Sequence, residues 1–301
     1  MLELTRLRML LEIHRRGSIA AAAKQLHLTP SAVSQQLKLL AKEVETDLLQ
    51  RVPGGVRLTG AGILLAEHAE RAMAELAAAE ESLAVLKGSV GGELRVGCFP
   101  SAARALLPGV LAGLAMSYPD LTVTLRSLNS GDAVGALMAG EVDAAFVASY
   151  EHDLPDDSVA QTVRLGNDPL KAIGPRCHPL FQTATVALAD LAEEPWLLDA
   201  ESSMLHRVVN RACRQAGFVP RVRSRCPDSA ITVAMAEAGL GVAILPRMAI
   251  MEAPVAALPI VPPMSRSVGL AVRRSRRRLP AMRALVDHAA RLCPPLLEVS
   301  G

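Results

Sequence analysis

The sequence predicts an α+β multidomain chain: a small helical unit with a two-stranded appendage, one long helix, and a larger two-lobed α/β unit. Three observations carry this expectation. Short helical patterns separated by capping residues fill the first sixty positions, an apolar heptad spacing follows, and strand-like and helix-like runs then alternate to the C-terminus. With 301 residues, half of them hydrophobic and 21% charged, the chain can build two or more cores and is too apolar for disorder.

Residues 4, 7, 10, 11 and 13 are apolar at helical spacing, and that run ends at Gly17. Ser18 is placed to cap a second, short helix of alanines reaching Leu26. His27-Leu28-Thr29-Pro30 reads as a turn and restart: Thr29 can cap, Pro30 suits a first helical position, and a third helix continues to Glu43. His27 is of a type that tolerates positive φ, and small Ala23 allows close helix approach. Val33, Leu37 and Leu40 form an inward stripe, leaving Ser31, Ser34, Gln35 and Lys38 facing outward. Two strands flanking Pro53-Gly54-Gly55 complete a winged helix-turn-helix.

Charge follows this division. Residues 1–60 hold nine Lys/Arg against five acids, and residues 61–92 hold five glutamates against Arg71 and Lys87. A basic unit with an outward polar row can bond base edges and phosphates of double-stranded DNA, with Gln35 able to make a bidentate contact to adenine.

Thr59 can cap a long helix reaching Lys87, in which Leu65, Ala69, Ala72, Leu76, Ala79, Leu83 and Leu86 alternate spacings of four and three over three heptads. That is a coiled-coil seam, and it predicts a homo-oligomer. Gly88-Ser89-Val90-Gly91-Gly92 then supplies a flexible hinge.

Residues 1–60 resemble the N-terminal domain of LysR-type transcriptional regulators through Arg16-Gly17-Ser18, Ala21-Ala22-Ala23, the run from Leu28 to Leu37, and Val56-Arg57-Leu58-Thr59-Gly60-Ala61-Gly62. The resemblance implies DNA contacts by Thr29, Pro30, Ser31, Ser34, Gln35, Lys38, Arg51 and Arg57, pairing through the linker helix as a homodimer or homotetramer, and RNA polymerase as a further partner. Three positions depart from the family pattern. Gly54 stands where a basic wing-tip residue is frequent, Leu49 replaces a usual Phe, and Glu45 replaces the glycine expected after the third helix.

From Glu93 the order reads β-α-β-α-β: strands at 94–98, 121–125 and 142–148, with helices near 102–116 and 132–138. A second series has strands near 170–173, 196–198, 222–224 and 242–245, with helices near 204–215 and 229–238. The chain returns through a strand at 268–272 and a helix at 280–292. This layout resembles the effector-binding domain of the same regulators, which is similar to periplasmic solute-binding proteins. The expected units are the DNA-binding domain 1–58, the linker helix 59–87, the hinge 88–92 and the sensor 93–301. One lobe of the sensor covers about 93–165 and 266–301, and the other about 166–265.

Ligands of open α/β sheets bind beyond the C-terminal strand ends, beside helix N-termini. Those ends carry Phe99, Pro100, Ser101, Asn129, Ser130, Phe146 and Ser149 in one lobe and Leu198, Ser202 and Ser203 in the other. They suit a small organic anion as effector; the alternative for each serine is an ordinary N-cap. Phe99 stands where the family often has a polar residue.

Other chemistries lack their residues. The seven histidines show neither metal-ligand spacing nor a G-x-S-x-G turn, and the five cysteines include no C-x-x-C pair, so no enzyme, metal or cofactor is expected. Gly239-Leu240-Gly241 follows a helix and leads into a strand, the reverse of a dinucleotide fingerprint. Cys213 and Cys226 do not match the context of a redox-sensing pair, and Arg273 to Arg278 read as a solvated connection rather than a second nucleic-acid site. Glu3, Arg6, Arg8, Glu12, Arg15 and Arg16 exclude a secretory core or membrane span from the first thirty residues, which predicts a cytoplasmic protein. The leading expectation is an effector-modulated DNA-binding regulator; the alternative is an effector-independent architectural DNA binder.

Overall fold

Local capping explains the first three helices. The computed structural model describes residues 2–52, 55–86, 92–150, 154–155, 160–251 and 253–297. Helix α1 (Leu4–Arg16) stops at Gly17, whose φ of 71° is the left-handed value that favours glycine. Helix α2 (Ile19–Gln25) opens on Ser18, whose hydroxyl accepts the Ala21 N–H at 3.1 Å, and α3 (Pro30–Glu43) opens on Thr29, which accepts from Ala32 at 3.2 Å. His27 has the expected positive φ, 54°, and Glu45 itself adopts 51° in place of the missing glycine. Leu10, Ile13, Ala22, Ala23, Val33, Leu37 and Leu40 are at most 3% exposed and share one core.

Strands β1 (Leu49–Val52) and β2 (Gly55–Leu58) pair antiparallel, with Leu49 opposite Leu58. Thr59 then starts α4 (Gly60–Leu86): its hydroxyl donates to the Asp47 carbonyl at 2.7 Å and accepts the Gly62 N–H at 3.0 Å. Gly62 is required, because a Cβ there would lie 2.1 Å from the Leu48 carbonyl oxygen. Helix α4 packs along α1, so Ala66 and Ala69 enter the same core and Leu65 packs against it. This corrects the seam. Leu65 and Ala69 serve the chain's own core, whereas Ala72, Leu76, Ala79 and Leu83 are exposed. The Leu86 side chain and residues 87–91 lie outside the described residues, and Gly92 begins a strand rather than ending a hinge.

In the sensor, β3 (Gly92–Cys98) pairs in parallel with β4 (Leu121–Ser127) and β5 (Ala144–Ser149). Between these strands run α5 (Pro100–Ala105), α6 (Leu107–Ser117) and α7 (Ser130–Met138). The single helix expected over 102–116 is therefore two. Pro108 has no N–H to return to the Arg104 carbonyl, so it sits in the opening turn of α6.

The strand expected at 170–173 is the end of β6 (Ala160–Gly174), which runs through both lobes. The second lobe adds β7 (Val186–Ala187), β8 (Pro195–Leu198), α8 (Met204–Gln215), β9 (Arg221–Arg225), α9 (Ser229–Glu237), β10 (Ala243–Pro246) and β11 (Ala256–Val261). Strand β12 (Ser265–Arg273) returns the chain to the first lobe, antiparallel between β5 and β6, and α10 (Pro280–Leu292) closes it. The sheet order is β4-β3-β5-β12-β6-β11-β7, with β10 also on β6. One core gathers around Leu107, Leu114, Phe146 and Leu285, the other around Leu170, Ile173, Leu188 and Trp196.

Asp143, 2% exposed before β5, ties three segments together. Its carboxylate accepts from the Arg95 backbone N–H at 2.9 Å, from Arg95 Nε and Nη2 at 3.2 and 3.0 Å, and from Arg276. Burial works to raise the Asp143 carboxyl, but the two guanidiniums outweigh it and hold the group below the usual carboxylate value. A depressed folded value contributes stability that is complete above the unfolded pKa of about 3.9 and is lost as pH falls through the folded one. The melting temperature therefore falls on acidification below about pH 4. Asp143→Asn, less stable at neutral pH, flattens that dependence; equal acid slopes for variant and wild type contradict the assignment.

Candidate functional site

The period that buries Val33, Leu37 and Leu40 leaves Ser31, Gln35 and Lys38 exposed and Ser34 half-buried on the opposite face of α3. Thr29 and Pro30 are exposed at its start, where the Thr29 and Ser31 hydroxyls lie 3.0 Å apart. Gln36 points elsewhere, accepting from Arg6 Nε of α1 at 2.9 Å. That bond fixes α3 against α1 and leaves Gln35 free to face outward. Arg57 is exposed on β2, and Arg51 stands opposite Val56 on β1; the Arg51 side chain and the wing tip, Pro53-Gly54, lie outside the described residues. An exposed polar helix face beginning at a helix N-terminus and flanked by a two-stranded wing is a shape that a major groove admits.

The strand ends of the sensor are occupied by the chain itself. Phe99 and Ser101 are buried, at 5% and 8% exposure, and Pro100 is exposed. Ser101 Oγ accepts from Arg266 Nη2 at 2.8 Å. Arg266 also donates through Nε and Nη2 to Asp168 Oδ2 at 3.0 and 2.8 Å, and its guanidinium lies 4.7 Å from the centre of the Phe99 ring. Asp168 Oδ1 in turn accepts the Met248 N–H at 3.1 Å. Burial pushes the Asp168 carboxyl above its ordinary value despite Arg266, and burial raises the Tyr150 hydroxyl against the opposing pull of the same guanidinium.

The other expected contacts divide. Ser130 Oγ accepts the Ala148 N–H at 3.0 Å, and Ser203 is an N-cap, accepting the His206 N–H of α8 at 3.0 Å. Asn129 is exposed and makes no side-chain cap, Ser149 is half-buried, and Ser202 is exposed with its carbonyl bound to Arg207. Two residues are corrected. Phe146, 1% exposed, and Leu198, 4%, belong to the two cores, because strand alternation turns their side chains inward. A shallow recess of about 600 Å³ follows the exposed face of α8, lined by Glu201, His206, Arg207, Arg211 and Arg214, away from Ser101.

Sequence reasoning missed Arg266, Asp168 and Tyr150. A signal existed for two of them: Asp168 falls within the run that became β6, and Arg266 stands just before the apolar run Val268 to Val272 of β12. The arginine run is also corrected. Arg273 is 3% exposed rather than solvated, and Arg276 is half-buried against Asp143. Burial pushes the Cys98 and Cys213 thiols up to about 12 and Cys293 to about 11, so none is a thiolate at neutral pH. Among the described residues no His/Cys/Asp/Glu group could hold a metal ion, and no helix is long and apolar enough to cross a membrane.

A winged helix-turn-helix carried on a long helix, ahead of two α/β lobes joined by crossing strands, defines a DNA-binding regulator with a ligand-sensing module. Residues 4–63 match the model of bacterial regulatory helix-turn-helix proteins of the lysR family, and residues 87–294 match the LysR substrate binding domain. The chain belongs to the LysR family and is a transcriptional regulator of that type. It is 28% identical over 284 residues to the transcriptional dual regulator GltC of Bacillus subtilis, covering 93% of this chain and 94% of that protein. It is 30% identical over 289 residues to the HTH-type transcriptional regulator CbbR of Xanthobacter flavus, covering 91% and 83%. A full-length OxyR variant from Pseudomonas aeruginosa has a similar fold, with a TM-score of 0.68 at 24% identity over 97% of this chain and 96% of that one. Full-length CbnR complexed with its target DNA gives 0.56 at 25% identity over 96% and 99%.

Removing one member of a buried ion pair leaves the other uncompensated. Asp168→Asn is therefore expected to lower unfolding free energy by about 3–5 kcal/mol in urea titration. A loss below about 1 kcal/mol, the size of an exposed pair, contradicts the burial of Arg266.

Proposed function

We propose that Thr29, Pro30, Ser31, Ser34, Gln35 and Lys38 of α3, with Arg51 and Arg57 of the wing, contact double-stranded operator DNA. The observation that carries this reading is the exposed polar row of α3 standing beside the wing. Gln35 reads a base edge, while Lys38 and Arg57 neutralise phosphates. The crystal structure of full-length CbnR with its target DNA supports the same use of the shared fold. Copies of the chain pair through the exposed positions Ala72, Leu76, Ala79 and Leu83 of α4, giving a homodimer or a homotetramer of paired chains. RNA polymerase as a partner and the cytoplasm as location are carried over from the family.

The sensor takes a small organic anion at the strand ends between its lobes, touching Ser101, Asn129, Ser130, Ser149 and Ser202. Such a ligand acts only by binding two arrangements of the protein unequally. The lobes divide near residues 166 and 265, where β6 runs from one core into the other and β12 begins the return to the first.

Anisotropy with a labelled duplex from the chain's own upstream region tests the DNA contacts. Binding weakens steeply with salt, and Gln35→Ala removes about 1–3 kcal/mol of discrimination against random DNA. Unchanged discrimination refutes the groove assignment. The filled corner at Ser101 favours a second reading, an effector-independent architectural DNA binder. The two are separated by melting the protein across a panel of small organic anions: a raised midpoint supports the sensor, and a flat profile supports the architectural reading.

A further inference from the structure

One carboxylate bridges the DNA-binding unit and the first lobe. Glu70 of α4 accepts, through the same oxygen Oε1, from Arg15 Nη2 of α1 at 3.0 Å and from Arg273 Nη1 at the end of β12. Its side chain is 19% exposed, and those of Arg15 and Arg273 are 18% and 3% exposed. The two guanidiniums are neighbours: a Cβ on Gly140 would lie 3.6 Å from Arg273 Nη2 and 3.7 Å from Arg15 Nη1. Two desolvated like charges this close are tolerable only while an anion sits against both.

Other contacts complete the cluster. Glu12 accepts from Arg15 Nη1 at 3.2 Å and from Arg16 Nε at 2.9 Å. Arg15 Nε, shut off from solvent, makes no hydrogen bond among the described residues. Burial lowers the Arg273 guanidinium to about 10 against the opposing effect of Glu70.

Helix α7 connects this cluster to the ligand end of the lobe. Arg273 Nη2 donates to the Leu137 carbonyl and, at 2.9 Å, to the Met138 carbonyl, placing a cation on the last turn of α7 where the helix dipole favours one. The first residue of α7 is Ser130, bonded to the Ala148 N–H at the strand end. Nine residues of helix span about 13 Å, and so short a rod moves as a unit.

We propose that Glu70 is the joint through which the ligand end of α7 controls the DNA-binding helices. Displacement of α7 draws its terminal carbonyls from Arg273, the Arg273–Glu70 pair loosens, and Arg15 releases α1, against which α3 is packed. The inference rests on the DNA- and ligand-binding reading above and names its regulation.

A double-mutant cycle on the full chain tests it, using Glu70→Gln, Arg273→Met and the double variant. Two readouts are taken: Kd for the labelled upstream duplex, and amide hydrogen exchange by mass spectrometry. Each single variant is expected to change Kd by about fivefold or more and to raise exchange in residues 9–16 and 130–139 while leaving 243–260 unchanged. The double variant is expected to match the larger single effect, because both changes break one connection. Additive effects, or unchanged exchange in both segments, overturn the proposal. If Arg273→Met does not fold, Arg15→Met enters the cycle in its place and probes the same carboxylate from the DNA-binding side. A wild-type chain that binds no duplex refutes the DNA reading alone, and the exchange pattern then decides whether the joint exists.

Discussion

The antiparallel pairing of β6 with β12 is the constraint on which the sensor depends. Strand β6 runs from one core into the other, with Leu165 in the first and Leu170, Ala172 and Ile173 in the second, while β12 pairs with it and lies against β5 of the first lobe. Their register sets Arg266 opposite Asp168 at the crossing. A slip of one residue would turn each side chain to the other face and leave two charges buried without partners. The pair therefore specifies the crossing as well as occupying it. It also bonds the Ser101 hydroxyl and the Met248 N–H, tying the start of α5 to the crossing.

Interior charge recurs as a device for joining segments. Asp143 gathers Arg95 and Arg276, Asp168 holds Arg266, and Glu70 holds Arg15 and Arg273. Each carboxylate brings together elements remote in the chain, and each is more buried than a surface ion pair. Such arrangements offer geometric specification more than net stability, since desolvation offsets much of the Coulomb attraction. They also explain why a formal charge of +2 says little about this molecule. Some arginines are internal fasteners, while Lys38 and Arg57 remain at the surface where a polyanion can reach them.

Legibility tracked the range of the deciding interaction. Helix α3 and its row of outward residues were readable because Thr29 caps, Pro30 starts and the apolar period repeats within fourteen residues. Helices α8 and α10 were placed to the residue, since Ser203 and Pro280 act on the turn that follows them. Pro108 was available as a local warning of the break between α5 and α6. The fifteen residues of β6 were harder, because Arg164, Asn167 and Asp168 interrupt its apolar pattern and the burial of Asp168 depends on β12. Strand β11 likewise has its register set by β6 and β7 rather than by its own residues.

By itself the sequence determined the helix-turn-helix, its wing, the long helix behind it and the alternating α/β order of the rest, because caps, turns and periodicity act over a few residues. Only the tertiary structure decided which polar groups are taken and which stay open. Ser101 meets Arg266 across 165 positions, Arg266 meets Asp168 across 98, and Arg273 meets Glu70 across 203. The environment of a charge is set by whatever folds against it, and a serine or arginine looks the same in sequence whether water or a buried partner surrounds it.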